Sequence, residues 1–208
     1  MTSVRHKTLE PEWAGLTESD HTVLDAARAS ILAVGWRRTT LTDVARRAGV
    51  SRMTLYRRWP DMHGLLGDLM TREWTTAMRA ATGAASREES LLEQVRRCVV
   101  QVARAIREDE LFAKIIDVDP ELLLPYLLVR RGRSQELVLV MLEPLLEQGQ
   151  RRHEIRPGDP ALIARTLLLA AQGFTLSVQT MTDAHRAAPR AADFDAELAI
   201  LVERYLAP

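Results

Sequence analysis

Helical spacing of apolar residues is the feature that most limits what this chain can fold into. Apolar side chains recur three and four residues apart in segment after segment, and no segment alternates apolar and polar residues as a half-buried strand does. Three runs, Thr17-Glu-Ser-Asp20, Thr40-Leu-Thr-Asp43 and Ser86-Arg-Glu-Glu89, have the form of a capping box that starts a helix. The sequence therefore predicts an all-α protein of about nine helices.

The predicted helices are joined by short connections. Gly49 supplies a sharp turn, and the pairs Asp119-Pro120 and Asp159-Pro160 are typical helix starts, with an N-cap residue before proline. Pro125 and Gly132 are expected to split or kink the seventh helix. The nine segments are 17–34, 40–48, 52–59, 61–80, 86–106, 111–118, 121–150, 161–181 and 194–205.

Two of the predicted helices have a well-defined apolar face. The fifth is predicted to place Leu91, Val95, Cys98, Val102 and Ile106 on one core-facing stripe. Cys98 is therefore interpreted as buried packing, with a redox sensor as the alternative. The last predicted helix is amphipathic, with Phe194, Leu198, Leu201 and Tyr205 on its apolar face.

Several classes of protein are disfavoured by the sequence. A single cysteine cannot form an intramolecular disulfide and no Cys and His cluster has zinc spacing, so we expect a reducing, cytoplasmic setting and no metal. No nucleotide-binding or catalytic motif occurs, so neither a cofactor nor an enzymatic activity is expected. The N-terminus has no apolar leader, and Arg165 and Gln172 interrupt the longest apolar stretch, 161–178, which argues against a membrane partner.

An all-helical enzyme is the competing class of protein. Its strongest support would be a carboxylate pair at Asp117 and Asp119, but both are better explained as a helix-end residue and an N-cap residue before Pro120.

The charge is divided unevenly along the chain. The 208 residues carry 28 basic and 28 acidic side chains, yet the first 60 contain ten basic and six acidic ones. Between Arg28 and Pro60, eight arginines accompany one acid, Asp43. A basic N-terminal part ahead of a mildly acidic body favours a polyanion-binding head, with a merely solvated arginine face as the alternative.

Residues 40–59 contain the pattern that points to function. A short capped helix, a glycine turn and a second short helix with exposed hydroxyl, basic and aromatic residues form a helix-turn-helix pattern. Arginine reads guanine with two hydrogen bonds, and threonine or methionine contacts a thymine methyl. Arg52, Met53, Thr54 and Arg57 are therefore predicted to face the bases, and a helical hairpin with solvated arginines is the alternative.

The stretch Val23–Leu69 resembles the N-terminal domain of the TetR family of bacterial transcriptional regulators. The family's run A-x-x-A-G-V-S-x-x-T-L-Y-x-x-[FW]-P is matched here by Ala45-Arg-Arg-Ala-Gly-Val-Ser-Arg-Met-Thr-Leu-Tyr-Arg-Arg-Trp-Pro60. The resemblance implies a homodimer, a palindromic double-stranded DNA operator and repression in the absence of ligand. It also implies release when a small-molecule effector enters the C-terminal domain.

The resemblance also assigns roles residue by residue. It implies phosphate contacts by Thr40, Thr42 and Tyr56, and recognition-helix positions at 51–54. The predicted DNA-binding residues are therefore Thr40, Thr42, Ser51, Arg52, Met53, Thr54, Tyr56 and Arg57. Two positions depart from the family: Met53 stands where glycine is frequent, and Met62 stands where lysine is frequent, which removes one phosphate anchor.

The rest of the chain is assigned to pairing and sensing. We expect a flexible arm over 1–16, a DNA-binding domain over 17–66 with a linking helix to about 80, and a ligand-binding and dimerisation domain over 81–208. The segments 161–181 and 193–206 carry more apolar surface than one core face needs, so they are predicted to form a four-helix interface between two subunits.

A cavity in this body is predicted to take a small hydrophobic or amphipathic effector. Large or soft apolar side chains with a few polar neighbours are its candidate lining. These residues are Trp74, Met78, Cys98, Val102, Phe112, Ile116, Tyr126, Leu127, Met141, Gln172 and Phe174. Plain core packing is the alternative for each residue, and a body that only dimerises is the alternative for the whole.

The resemblance further implies how an effector acts. Ligand binding shifts the helix 111–118, which moves the helix 61–80 and changes the separation of the two recognition helices. In a symmetric dimer that separation matches one DNA turn, about 34–36 Å, or a multiple of it.

Overall fold

The computed structural model describes residues 16–83, 89–182 and 189–208. The described residues form ten α-helices, with no strand among them. The helices are α1 (Glu18–Val34), α2 (Leu41–Ala48), α3 (Arg52–Arg58), α4 (Met62–Gly83), α5 (Leu91–Glu108), α6 (Glu110–Val118), α7 (Leu124–Leu128), α8 (Arg133–Arg151), α9 (Pro160–Ser177) and α10 (Ala191–Leu206). Short 3-10 turns follow α6 and α9, at Pro120–Leu122 and Val178–Met181. The predicted all-α fold is confirmed, while the predicted arm lies outside the described residues except for residue 16.

The first three helices begin and end where the local sequence predicts. Thr17 and Asp20 form a reciprocal capping box at α1, with hydrogen bonds of 2.9 and 3.1 Å. The hydroxyl of Thr40 accepts a hydrogen bond from the Asp43 amide at the start of α2. Gly49 has φ of +69°, a left-handed conformation that costs a glycine little, and so ends α2 in a tight turn.

The predicted start of the fifth helix is wrong, and its predicted stripe is confirmed only at Leu91 and Val95. Ser86 lies outside the described residues, and α5 is capped instead by Ser90, whose hydroxyl accepts from the Glu93 amide. The buried stripe of α5 consists of Leu91, Val95, Val99, Ala103 and Arg107. Cys98, Val102 and Ile106 are one position off this stripe and only half-buried.

The predicted helix over 121–150 is divided in two, as Gly132 suggested. Residues 120–128 form a 3-10 turn and the single-turn helix α7, and α8 begins after Gly132. Pro144 is accommodated inside α8. This division raises the number of described α-helices from the predicted nine to ten.

Asp119 occupies the predicted N-cap position before Pro120, but its side chain forms no capping hydrogen bond there. Its side chain is 1% exposed and accepts a hydrogen bond of 2.9 Å from the amide of Trp36, 83 residues away in the sequence. Its other oxygen forms an ion pair with Arg37 at 3.3 Å. The carboxylate is used in this long-range contact because a buried backbone N–H and a nearby guanidinium supply better partners than the short turn at Pro120 does.

Two apolar cores organise the helices. The first joins α1, α2, α3 and α4 with α6, which contributes Leu111, Phe112 and Ile115. The second joins α5, α8, α9 and α10. An ion pair of 3.2 Å between Arg28 and Asp109 also connects α1 to the start of α6. The short helix α6 therefore packs as part of the N-terminal group of helices.

The helices α9 and α10 leave apolar residues uncovered. The stretch Pro160–Met181 is long and apolar enough to cross a membrane by length and composition, and 28% of its most apolar window is buried. Leu162 and Leu169 of α9 are 62% and 69% exposed. On α10 the buried face is Leu198, Val202 and Leu206, so Leu201, predicted on the apolar face, lies outside it.

Candidate DNA-binding surface and ligand cavity

The helices α2 and α3 form a helix-turn-helix with its own small core. Val44 and Ala45 of α2 and Leu55 of α3 are buried, and Val50 packs against the same core. This packing fixes the angle between the two helices. The remaining side chains of α3 point outward, and Met53 is 78% exposed.

The predicted DNA-contacting residues form one surface around α3. Seven of the eight are exposed, and Thr42 is half-buried. Two hydroxyls on this surface serve as caps: Thr40 caps α2, and Ser51 caps α3 by accepting from the Thr54 amide at 3.1 Å. The Ser51 hydroxyl also lies 2.8 Å from the Thr54 hydroxyl. The DNA contacts of all eight residues stay predictions.

Two arginines of this surface lie outside ion-pair distance of every acid within the described residues. Arg52 and Arg57 form no ion pair there, whereas Arg58 is paired with Asp20 at 3.5 Å and lies over the Trp59 ring. Unpaired guanidinium groups are free to bind guanine edges or phosphates.

The acid nearest to this surface is neutralised locally. A hydrogen bond from the Thr40 hydroxyl, at 2.6 Å, is the main cause that lowers the pKa of Asp43, and Arg46 and Arg52 lower it further. Arg46 also donates to Asp43 at 2.7 Å. Asp43 therefore stays ionised and held against its own helix.

A polar bridge connects α3 to the body of the protein. The indole N–H of Trp59, which follows α3 directly, donates to Asp68 Oδ2 on α4 at 2.8 Å. The other oxygen of Asp68 accepts from Arg133, the first residue of α8. One carboxylate thus contacts both the end of the recognition helix and the start of a body helix.

The body contains a cavity of about 460 Å³ between α4, α5, α6, α7, α8 and α9. Its size lies within the range of small-molecule sites, about 300–1,000 Å³. Nine of the eleven residues predicted to line such a cavity do so: Trp74, Met78, Cys98, Val102, Phe112, Tyr126, Leu127, Met141 and Gln172. Contact of these residues with a ligand stays a prediction.

Two predicted lining residues are placed elsewhere. Ile116 packs against the first core, and Phe174 packs against the second. In each case a neighbour on the same helix reaches the cavity instead, Ile115 on α6 and Thr175 on α9. Ile116 and Phe174 are apolar, and an apolar side chain suits a core and a cavity wall equally well. Residue type alone therefore does not distinguish a core residue from a cavity-lining residue.

Sequence reasoning missed the charged part of the lining. Arg130, Arg131 and Arg133 all line the cavity and are all exposed. The run Arg-Arg-Gly-Arg at 130–133 is the signal that could have found them, because three clustered arginines beside predicted lining residues mark a polar end.

Burial affects the chemistry of Cys98. Burial raises the pKa of the Cys98 thiol, and nearby Arg97 only partly opposes this. The thiol therefore stays protonated at neutral pH, which suits packing against a ligand better than redox sensing. In the described part of the chain, no group of three or more His, Cys, Asp or Glu side chains is placed to hold a metal ion.

Comparison with known proteins identifies the family. The sequence model described as "Bacterial regulatory proteins, tetR family" matches residues 23–69. An HTH-type transcriptional regulator of Mycobacterium tuberculosis is 35% identical over 150 residues, which cover 72% of this chain and 76% of the relative. The chain belongs to the TetR family. It is a transcriptional regulator with a helix-turn-helix DNA-binding domain. A further relative, the regulator AqdR of Rhodococcus erythropolis, is 31% identical over 70% of this chain and 68% of its own length.

Solved structures of TetR-family regulators share the fold. The Rhodococcus erythropolis repressor QsdR aligns with a TM-score of 0.65 at 17% identity, over 90% of this chain and 94% of its own. FadR of Bacillus subtilis, solved in complex with stearoyl-CoA, aligns with a TM-score of 0.63 at 16% identity, over 89% and 98% of the two chains. The TetR-family fold thus extends beyond the 47-residue helix-turn-helix region into the divergent body.

Proposed function

We propose that this TetR-family regulator is a ligand-responsive repressor that binds a palindromic operator as a homodimer. A small hydrophobic or amphipathic molecule entering the cavity releases it. The observation that carries the proposal is the position of α4, which starts just after the recognition helix α3 and also lines the cavity. One rigid element therefore belongs to both sites.

The exposed surface of α3 is the proposed reader of DNA. Arg52, Met53, Thr54 and Arg57 face the bases, while Tyr56, the capping residues Thr40 and Ser51, and Thr42 position the protein on the phosphates. The proposal includes a DNA-binding domain over residues 17–66 and a ligand-binding and dimerisation domain over residues 81–208. It also includes a location in the cytoplasm, where the protein can reach DNA.

Two contacts support coupling between the cavity and the DNA-binding helices. Asp68 joins Trp59 to Arg133, a cavity-lining residue, and Phe112 and Ile115 of α6 belong both to the cavity wall and to the N-terminal core. A ligand that moves α6 or α8 must therefore disturb contacts that hold α3 and α4. It favours release only if it binds the released conformation more tightly than the DNA-bound one.

The cavity favours sensing over the two competing functions. A body that serves only to pair subunits has no need for a void of this size, and an enzyme needs catalytic groups facing it. The residues that line this cavity are mostly apolar, with arginines at one end. We therefore propose a binding site without catalytic activity.

The uncovered face of α9 and α10 is the proposed dimer interface. Leu162 and Leu169 of α9 and Leu201 of α10 are exposed leucines that a second copy would bury. Arg165, on the same helix as the exposed leucines, makes a membrane a poor alternative cover for it.

Substitution Leu169→Glu is expected to convert the dimer to a monomer, because a charged carboxylate would be buried in an apolar interface on both subunits. Light scattering during size-exclusion chromatography measures the molar mass. The matched control is Leu128→Glu on α7, where a leucine that is 77% exposed, against 69% for Leu169, lies outside the proposed interface. A dimer that persists in Leu169→Glu at micromolar concentration would contradict this interface.

Binding to the DNA flanking its own gene tests the repressor proposal directly. We expect specific binding by two or more protomers per site, and an affinity that falls as salt rises because each phosphate contact releases counterions. Titration at two salt concentrations, with random DNA of equal length as the control, measures both properties. Equal affinity for flanking and random DNA at both salt concentrations would contradict a repressor that acts locally.

A further inference from the structure

We propose that the ligand of the cavity is an amphipathic anion. Its carboxylate or phosphate head binds arginines at the open end of the cavity, and its apolar chain extends along α4 and α8. This inference rests on the proposed function, because it names the class of molecule that the sensing cavity takes.

The arginines of the lining lie at its solvent-exposed end. Arg130, Arg131 and Arg133 line the cavity and are exposed, whereas Met78 and Phe112, also in the lining, are buried. The arginines therefore mark an opening to solvent, and the methionine and the phenylalanine mark the interior. A charged head bound at this opening keeps partial contact with water, while a chain inside removes apolar surface from water.

The segment 126–133, called here the arginine segment, is held in place by contacts within the protein. The side chain of the buried Gln135 donates to the Tyr126 carbonyl at 3.2 Å and accepts from the Gly132 amide at 2.6 Å. The guanidinium of Arg130 lies over the Tyr126 ring, 5.2 Å from its centroid. A segment already ordered loses less conformational entropy when a ligand binds.

The charged and unpaired polar groups of the lining are mostly positive or hydrogen-bond donors. Asp61 is the one acid among the described lining residues, and its carboxylate accepts from the Gly64 amide. The indole N–H of Trp74 is buried and has no hydrogen-bond acceptor among the described residues. Arginines and an unpaired N–H are all donors, so the complementary ligand is negative and rich in acceptor oxygens.

The partners of the arginines leave room for such a head. Arg131 is paired with the exposed Glu136, and Arg133 with Asp68, while Arg130 has no acidic partner in the described part of the chain. The exposed pair of Arg131 with Glu136 is weak and readily exchanged for another anion. Arg130 and Arg131 are therefore the groups most available to the head.

The apolar wall of the cavity is long. On α8 the lining runs from Arg133 to Leu145, which corresponds to about 18 Å along a helix. On α4 it continues through Met70 and Trp74 to Met78. A cavity of 460 Å³ with walls this long is narrow, which fits a flexible chain better than a compact ring system.

Calorimetry on the full-length protein tests the proposal with defined probes below their micelle concentrations. Dodecanoate and dodecyl phosphate carry the two possible heads, and dodecanol has the same chain without charge. We expect each anion to bind at least about 10-fold more tightly than dodecanol. The stronger of the two anions identifies the head group.

Arginine variants test whether the head binds at the arginine segment. Arg130→Gln/Arg131→Gln is expected to weaken anion binding by roughly 10- to 100-fold and to leave dodecanol binding unchanged. The matched control is Arg104→Gln/Arg151→Gln, which also removes two exposed arginines, each paired with an acid on its own helix. Circular dichroism melting establishes that both double variants are folded.

Each outcome bears on one proposal. Equal binding of dodecanol and both anions, no binding by either anion, or unchanged anion binding in Arg130→Gln/Arg131→Gln would overturn the amphipathic-anion class. In all three cases, specific binding to operator DNA in the absence of ligand would still support the proposed role as a DNA-binding regulator. Anion binding as expected without release of operator DNA would instead uphold the ligand class and contradict the ligand response.

Discussion

Substitution Arg52→Ala is expected to weaken operator binding by roughly 30- to 25,000-fold. A two-hydrogen-bond contact between arginine and guanine is worth about 1–3 kcal/mol, and a symmetric dimer loses it twice. Arg52 is exposed and forms no ion pair with the described residues, so its removal leaves no buried charge behind. The protein should keep its fold while losing its operator.

The same variant should bind random DNA almost as well as before, because nonspecific binding rests on phosphate contacts. Tyr56→Phe provides the contrast: it removes a predicted phosphate contact and should weaken operator and random DNA alike. Arg151→Ala, at the exposed end of α8, controls for the loss of one positive charge. Fluorescence anisotropy with both DNAs measures these ratios, and equal losses for Arg52→Ala on both would mean that Arg52 does not read a base.

Substitution Gly149→Val is expected to lower the free energy of unfolding by about 3 kcal/mol, at the upper end of ordinary overpacking costs. A Cβ atom at this position would lie 2.4 Å from Cδ1 and 2.7 Å from Cγ1 of Ile155, which is buried in the second core. The chain turns back onto α8 here, and the Ile155 amide donates to the Gly149 carbonyl at 3.2 Å. The contact therefore cannot be relieved by rotating a side chain tip alone.

A second substitution should rescue this variant. Ile155→Ala alone costs about 2–5 kcal/mol by leaving a cavity, but in Gly149→Val the new valine occupies part of that space. The double variant should therefore be more stable than the sum of the two single losses predicts. Urea unfolding at one fixed protein concentration measures the three values, with Gly83→Val as a control at a glycine whose Cβ would meet nothing within 4 Å. Simple additivity would contradict the steric explanation.

The DNA-binding part could be predicted because its determinants are local. The caps at Thr17 and Thr40 and the turn at Gly49 are set by residues within a few positions, and all three were confirmed. The start of α5 could not be chosen in this way, since two hydroxyl residues, Ser86 and Ser90, each precede an acid by three positions. Packing of Leu91 and Val95 in the second core selects the later one.

Long-range contacts explain the remaining differences. Asp119 has the sequence of an N-cap, but its partner Trp36 belongs to another part of the chain, so no local pattern could reveal it. The apolar lining of the cavity was largely predicted, because such a lining requires large or soft apolar side chains. The arginine segment was not predicted, because a single arginine beside a cavity resembles any surface arginine in sequence and only the clustering at 130–133 marks it.

The N-terminal core has a consequence for building hybrid regulators. Leu111, Phe112 and Ile115 of α6 fill the same core as α1 to α4, so the helix-turn-helix domain is completed by residues more than forty positions beyond residue 69, where the family match ends. Grafting residues 17–66 onto the body of a relative would place foreign α6 side chains in the same core as Leu24 and Leu65. A hybrid that exchanges operator specificity should therefore carry only the exposed residues of α3, and leave the helices beneath them with their original α6.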